Sequence, residues 1–357
     1  MLSGIRGQAE WLARGPSEIL ADARSTLNGP PPRCVYLVGC GDSHYCGLSA
    51  RLAFERWSGA PTQALPAFEF ARYVVEGAPS GAWVVCVSNS GRVARTVEAA
   101  RRARERGLTT IAVTYAPDSP LAATADATLC YRYRDPGFAP GTISYIASLT
   151  ALYTVALRVA ELIGSLSAGE RAERLAALTA QAGVVARTLE LAWRPAEKLG
   201  RQTSLDVPIH LLGAGPSLGT ASFGRAKLIE AARVPAGIHE LEEWAHEQFF
   251  CTGPGTLTIV VAPGGVAADR AVEQVEAVRE MGGTAVAVCP AGAAAAASAD
   301  RVLPVADDPP EELSPLAYSV PLELFALHYA SVKGLTMFGF DDERRKRVNA
   351  RQIFLPH

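Results

Sequence analysis

One unit repeated at a fixed interval constrains this 357-residue chain more than any other feature. VYLVGCGDS at 35–43 is echoed by IHLLGAGPS at 209–217, so Gly39, Gly41 and Ser43 match Gly213, Gly215 and Ser217. Subtracting 39 from 213 gives an offset of 174, which also carries SNSG at 88–91 onto APGG at 262–265 and Ala125-Asp126 onto Ala299-Asp300. With one extra residue in the second copy, TIAVT at 110–114 meets AVAVC at 285–289. Single hydrophobic cores stop growing at about 250–300 residues, so a chain this long with an internal repeat is expected to fold as two copies of one domain.

Within each copy, apolar runs of four to six residues alternate with helical stretches such as ARTVEAARRARERG, whose charged face and Ala/Val face recur at helical spacing. That alternation predicts an α/β fold, each copy a parallel sheet flanked by helices in three α/β/α layers, flavodoxin-like and related by duplication. The expected organisation is an N-terminal helical segment at 1–30, a first domain at 31–165, a helical connector at 166–200, a second domain at 201–338 and a tail at 339–357. AGAAAAASAD is of low complexity, but its place in the repeat makes it a helix or loop before the last strand.

Composition excludes several classes. A net charge of -2 gives no support to nucleic-acid binding. Seven Cys with no CxxC pair form no disulfide framework, and no His/Cys cluster has metal-ligand spacing. A reducing cytoplasm is the simplest setting. The N-terminus MLSGIRGQAEWLARGPSEIL has scattered charges and no apolar run long enough for a signal peptide or membrane span, and reads as an amphipathic segment packed on the body.

Open parallel sheets bind ligands beyond the carboxyl ends of their strands, where helix N-termini offer free N–H groups to anions. GCGDSHYCG follows a strand, yet a dinucleotide fingerprint needs glycine at 44, where His44 stands. The other turn distinguishes the copies: the first has Ser88, Asn89 and Ser90, the second Pro263, Gly264 and Gly265. Hydroxyls beside helix-start amides suit a phosphate monoester, so the first copy is expected to keep an anion site that the second has lost. Ser90 taken alone reads first as the N-cap of the next helix.

These residues carry a family resemblance. The paired units resemble sugar isomerase (SIS) domains, and residues 30–350 resemble the isomerase half of glucosamine-6-phosphate synthases. SNSG stands where that family has its SQSGE/T phosphate loop, and GCGDSHYCG is similar to its ACGTSYHAG segment. The likeness continues through ALPAFEFARY, GTISYIAS, GRAKLIEAA, EEWAHEQ, VPLELFALHYASVKG and the basic tail. The glutamine-hydrolysing domain with its N-terminal Cys is missing, so ammonia from glutamine is not expected.

The resemblance implies roles residue by residue. Lys227 and Glu230 fall on the Lys and Glu of the family's KLKE segment, and spacing i, i+3 puts both on one helix face. Glu230 would be the base moving a proton between C1 and C2 of an open-chain sugar, with Lys227 orienting or polarising. On the helix alone, the pair reads as a surface ion pair. His246 lies sixteen residues beyond Glu230, the interval to the His of ELKHGP, which opens the ring and reaches into the neighbouring subunit's site. A homodimer is therefore implied. In the tail, Lys346 lies over the family's Lys-Ser-Val, whose Lys handles the sugar carbonyl or ring oxygen; the register could fall instead on Arg345 or Arg347. Gly41, Asp42, Ser43, Ser88, Asn89, Ser90, Val93 and Ser148 fall on substrate-binding positions.

Three departures reshape that pocket. Val93 replaces a Thr of the phosphate loop; Asp42 replaces another, and its charge would repel a phosphate unless Arg92 or Arg95 offsets it. Glu247-Gln248 replaces Gly-Pro after the His. Cys40 and Cys46 flank His44, but small buried Cys beside a sheet is the commoner case, and Trp83 and Trp244 read as core residues. The resulting expectation is an aldose–ketose isomerase of a phosphorylated or amino sugar, needing no cofactor, metal, nucleic acid or membrane. A fructosamine- or aminosugar-phosphate deglycase or deaminase is the alternative, and a non-catalytic sugar-phosphate sensor the second.

Overall fold

Runs such as VYLVG and WVVCV are buried along their whole length, as strands covered on both faces must be. A computed structural model describes residues 1–355. It divides into two units: one comprises Glu10–Asp135, Ile143–Ala180 and Asp342–His357, the other Met1–Ala9, Pro136–Thr142 and Gln181–Asp341.

The first unit holds β1 (Val35–Gly39), β2 (Thr62–Pro66), β3 (Trp83–Val87), β4 (Thr109–Thr114) and β5 (Ala127–Cys130). They form one parallel sheet in the order β2-β1-β3-β4-β5. The second unit holds β6 (Ile209–Gly213), β7 (Ala236–Glu240), β8 (Leu257–Val261), β9 (Thr284–Cys289) and β10 (Arg301–Pro304). Their order, β7-β6-β8-β9-β10, is the same. Both are the flavodoxin-like order, whose direction reverses between the first and third strands. In the first sheet the connections after β1 and β3 therefore leave neighbouring strands at that reversal, where open sheets place ligands.

The duplication extends to backbone detail. Gly41 (φ 54°, ψ -129°) and Gly215 (φ 51°, ψ -129°) precede the helices Asp42–Ser58 and Pro216–Ala232 in one unusual conformation. Side chains with a Cβ avoid it, which is why glycine stands there in both copies.

The helix Ile143–Ile163 is long and apolar enough to cross a membrane by length and composition. However, 78% of that apolar window is buried within the protein, packed chiefly on the helices Asp42–Ser58 and Gly15–Thr26. A break at Gly164 (φ 79°) precedes the long helix Ala168–Gln202. Trp83 and Trp244 are core residues, 2% and 1% exposed. The Ala-rich stretch forms the short helix Ala294–Ser298 before β10.

Candidate active site

The connection after β3 is a tight cup. Ser88 N–H donates to Val113 O, and Gly91 N–H turns back to Ser88 O. Asn89 O accepts from Tyr115 N–H and Thr114 Oγ1. Gly91 has φ 60°, and a Cβ there would lie 2.0 Å from Ser119 Oγ. Position 91 thus excludes every other residue twice, by conformation and by space. Gly91→Ala should destabilise the protein by at least about 1 kcal/mol; an unchanged midpoint in thermal denaturation would contradict the tight turn.

The two hydroxyls of this cup differ in their partners. The following helix is Ala94–Glu105, and its N-cap is Val93, which supplies no side-chain cap. Ser90 is therefore not the cap; its Oγ accepts from Arg92 N–H at 3.3 Å. Ser88 is 1% exposed, and its Oγ is buried with no hydrogen-bond partner. An orphaned buried hydroxyl beside an uncapped helix start lacks an acceptor that an anion would provide.

Asn89 is oriented by groups the sequence reading passed over. Its Oδ1 accepts from Tyr131 O–H at 3.2 Å and from Tyr133 O–H at 3.0 Å. Burial pushes the Tyr133 phenol up to about 12 and that of Tyr131 well above its ordinary value, so both remain donors at neutral pH. With its oxygen so occupied, Asn89 presents its NH2 group as the remaining donor side. Ser148, 3% exposed, stands 2.7 Å from Tyr131 O–H and supports the network from behind. Tyr115 packs on Tyr133 at 4.8 Å between ring centroids. The available signal was the alternation Tyr131-Arg132-Tyr133-Arg134 just past an edge strand.

The neighbouring turn, after β1, brings Gly41, Asp42 and Ser43 to the start of the helix Asp42–Ser58. Asp42 occupies its first turn, where a carboxylate suits the helix dipole. Arg95, one of two candidates to offset that charge, pairs instead with Glu98. His44, just beyond, has a buried Nδ1 without a partner, and burial holds its pKa below the usual value, so the ring is neutral at pH 7. Burial raises the Cys40 thiol, which argues against a thiolate nucleophile.

The second copy handles the same place differently. Gly264 N–H donates to both carboxylate oxygens of Asp308, at 3.0 and 3.1 Å, and Tyr318 O–H adds a bond of 2.9 Å to Asp308 Oδ1. A Cβ at Gly264 would fall 2.1 Å from that carboxylate. An internal anion thus fills the cup in which the second copy has glycines instead of hydroxyls. Asp308→Ala should cost about 1 kcal/mol and create a phosphate-dependent rise in melting temperature. A midpoint indifferent to both substitution and phosphate would refute this role.

Lys227 and Glu230 lie on the helix Pro216–Ala232 with Nζ and Oε2 2.5 Å apart. This is no surface pair: Lys227 is 0% exposed, and its Nζ lies 4.9 Å from the Phe223 ring centroid. A buried ammonium is costly without an anion, so the pair fixes the Glu230 carboxylate in place. His246 ends the helix Leu241–His246, its side chain 67% exposed and Nε2 3.3 Å from Glu242 Oε1. Lys346, in the tail helix Glu343–Phe354, is exposed and 3.4 Å from Glu343. No group of His, Cys, Asp and Glu among the described residues could hold a metal ion.

Comparison with known proteins adds three findings. Residues 32–158 and 208–333 match the SIS domain model. The glutamine–fructose-6-phosphate aminotransferase (isomerizing) of Corynebacterium glutamicum is 29% identical over 305 residues, covering 84% of this chain and 48% of the relative. The chain thus spans about half the length of the curated relatives it matches. Among solved structures, the C-terminal domain of glucosamine-fructose-6-phosphate aminotransferase from Francisella tularensis superposes with a TM-score of 0.83 at 21% identity, covering 94% and 97% of the two chains. Glucosamine-6-phosphate deaminase from Thermotoga maritima gives 0.74 at 20%, covering 94% and 95%. These structures share its fold.

Proposed function

Because the chain belongs to the SIS domain family, with two such domains in tandem, we propose that it interconverts aldose and ketose forms of a phosphorylated or amino sugar. The observation that carries this reading is the cup at Ser88–Val93: a buried hydroxyl without a partner, an amide fixed as donor, and a helix start without a cap. Together these make a receptacle for a phosphate monoester. Ser43 adds a hydroxyl from the adjacent turn.

In this reading Glu230 removes the proton from the carbon beside the carbonyl, and the electron pair moves onto the carbonyl oxygen, which takes up a proton. Return of the proton to the former carbonyl carbon, as the hydroxyl on the neighbouring carbon gives up its own proton and becomes the new carbonyl, completes the exchange. Lys227 holds the carboxylate in the required orientation. His246 moves a proton between anomeric hydroxyl and ring oxygen to open the ring, and does so for the neighbouring subunit of a homodimer. Its exposure supports that assignment, since a side chain serving another subunit must be reachable. Lys346 engages the carbonyl or ring oxygen. No cofactor is required.

The aromatic pair Tyr115 and Tyr133 beside Asn89 favours a second reading, a deglycase or deaminase acting on an amine-bearing sugar phosphate, since such faces attract cationic amines. The test is solvent deuterium incorporation at C1 and C2 across hexose and hexosamine phosphates. Incorporation supports isomerisation, and free amine released from a fructosamine phosphate selects the second reading. Binding without either reaction would overturn both in favour of a sensor.

A further inference from the structure

We propose a second anion site, adjoining the Ser88–Val93 cup and sharing Arg92 with it, in a cavity of about 510 Å3 along the helix Ala94–Glu105. Its ligand class is a small molecule carrying two or more adjacent negative charges on an apolar or aromatic body. Five guanidinium groups line it: Arg72, Arg92, Arg95, Arg101 and Arg102. They come from three places, the turn Phe70–Val74, the loop after β3, and the helix itself.

The carboxylates nearby do not balance them. Glu98 is the acidic residue of the lining, and it is saturated by Arg72 at 2.6 Å, Arg95 at 2.5 Å and Arg102 at 3.1 Å. Burial pushes the Glu98 carboxyl up, but the bonds from Arg72 and Arg95 outweigh it and hold the group below its usual range, so it remains one fixed negative charge. Arg101 pairs with the exposed Glu105. Five positive charges thus meet two negative ones, a surplus that repels itself until an anion enters.

A charge run on a helix is ordinarily a solvated face, and here Arg92 and Arg101 are exposed while the groups gathered on Glu98 are partly withdrawn from solvent. The side chains of Glu98, Arg95 and Arg102 are 10%, 18% and 31% exposed. Arg72 and Arg95 also lie over the Phe68 ring at 5.6 and 6.0 Å. Guanidiniums held in this way keep their paired N–H donors oriented, which suits bidentate capture of phosphate or carboxylate. Val97, Pro120 and Phe354 supply an apolar wall, and the volume is that of a small-molecule site. Arg92 ties the cavity to the cup, since its backbone N–H donates to Ser90 Oγ, so occupancy of one should alter affinity at the other.

Calorimetric titration of the full chain with pyrophosphate and with ADP tests the site. Both probes should bind, and Arg101→Ala/Arg102→Ala should weaken both about tenfold or more. Phe354→Ala should weaken ADP more than pyrophosphate. Ser88→Ala/Ser90→Ala, which disables the cup, should leave a binding event for both probes that still depends on the arginines. Since Arg102 anchors Glu98, the single change Arg101→Gln, which touches only an exposed pair, serves as the variant least able to disturb folding and should still weaken pyrophosphate. Absence of binding to wild type at millimolar probe, indifference to the arginine substitutions, or loss in the serine variant instead would each overturn the proposal.

Discussion

In Glu230→Gln, deuterium should enter C1 and C2 of a sugar phosphate about 10²–10⁴-fold more slowly than in wild type. Gln keeps the length and an acceptor oxygen for Lys227 but cannot take a proton from carbon. Because Lys227 is fully buried and faces Oε2 of the partly exposed Glu230, removing the negative charge also costs stability, on the order of 1–3 kcal/mol. Glu230→Asp separates the two effects. It retains the charge, so its melting temperature should stay near wild type, while the withdrawn carboxylate should still lose rate. Exchange at wild-type rate in Glu230→Gln would remove Glu230 as the base.

Ser88→Ala/Ser90→Ala should raise KM for a phosphorylated substrate by a factor on the order of 10–1,000, from about 1.5–3 kcal/mol per charge-assisted hydrogen bond lost, with losses that need not add. The unusual expectation concerns stability. Ser88 Oγ is buried and unpartnered, so replacing it with a methyl-sized group removes a polar atom that the unliganded fold does not satisfy. The Ser88→Ala single variant should therefore be as stable as wild type, or more so, while binding phosphate less well. A loss of stability with unchanged KM would mean that Ser88 serves the fold and not a ligand.

Much of the architecture was legible because the repeat, the strand–helix alternation and the continuous apolar runs are local patterns whose consequences are nearly forced. Buried parallel strands cannot alternate in polarity, and a shared Gly at 41 and 215 reports a backbone conformation directly. The difference between the hydroxyl-bearing SNSG and the glycine-bearing APGG was equally open to comparison. What stays hidden is whatever depends on residues far apart in sequence. Asp308 reaches Gly264 across 44 positions, and Tyr133 reaches Asn89 across 44 as well. No periodicity marks either approach.

Sequence by itself determined two copies of one parallel α/β unit, the matching glycine turns of the two copies, and the i, i+3 placement of Lys227 and Glu230. Only the tertiary structure decided the environment of those groups. It buried the Lys227 end of an apparent surface ion pair, moved the cap from Ser90 to Val93, and gathered five arginines from separate elements in one cavity with Glu98. The reason is physical: backbone geometry follows from short-range sterics and hydrogen bonding, whereas burial, orientation and charge balance follow from which distant side chains share a space.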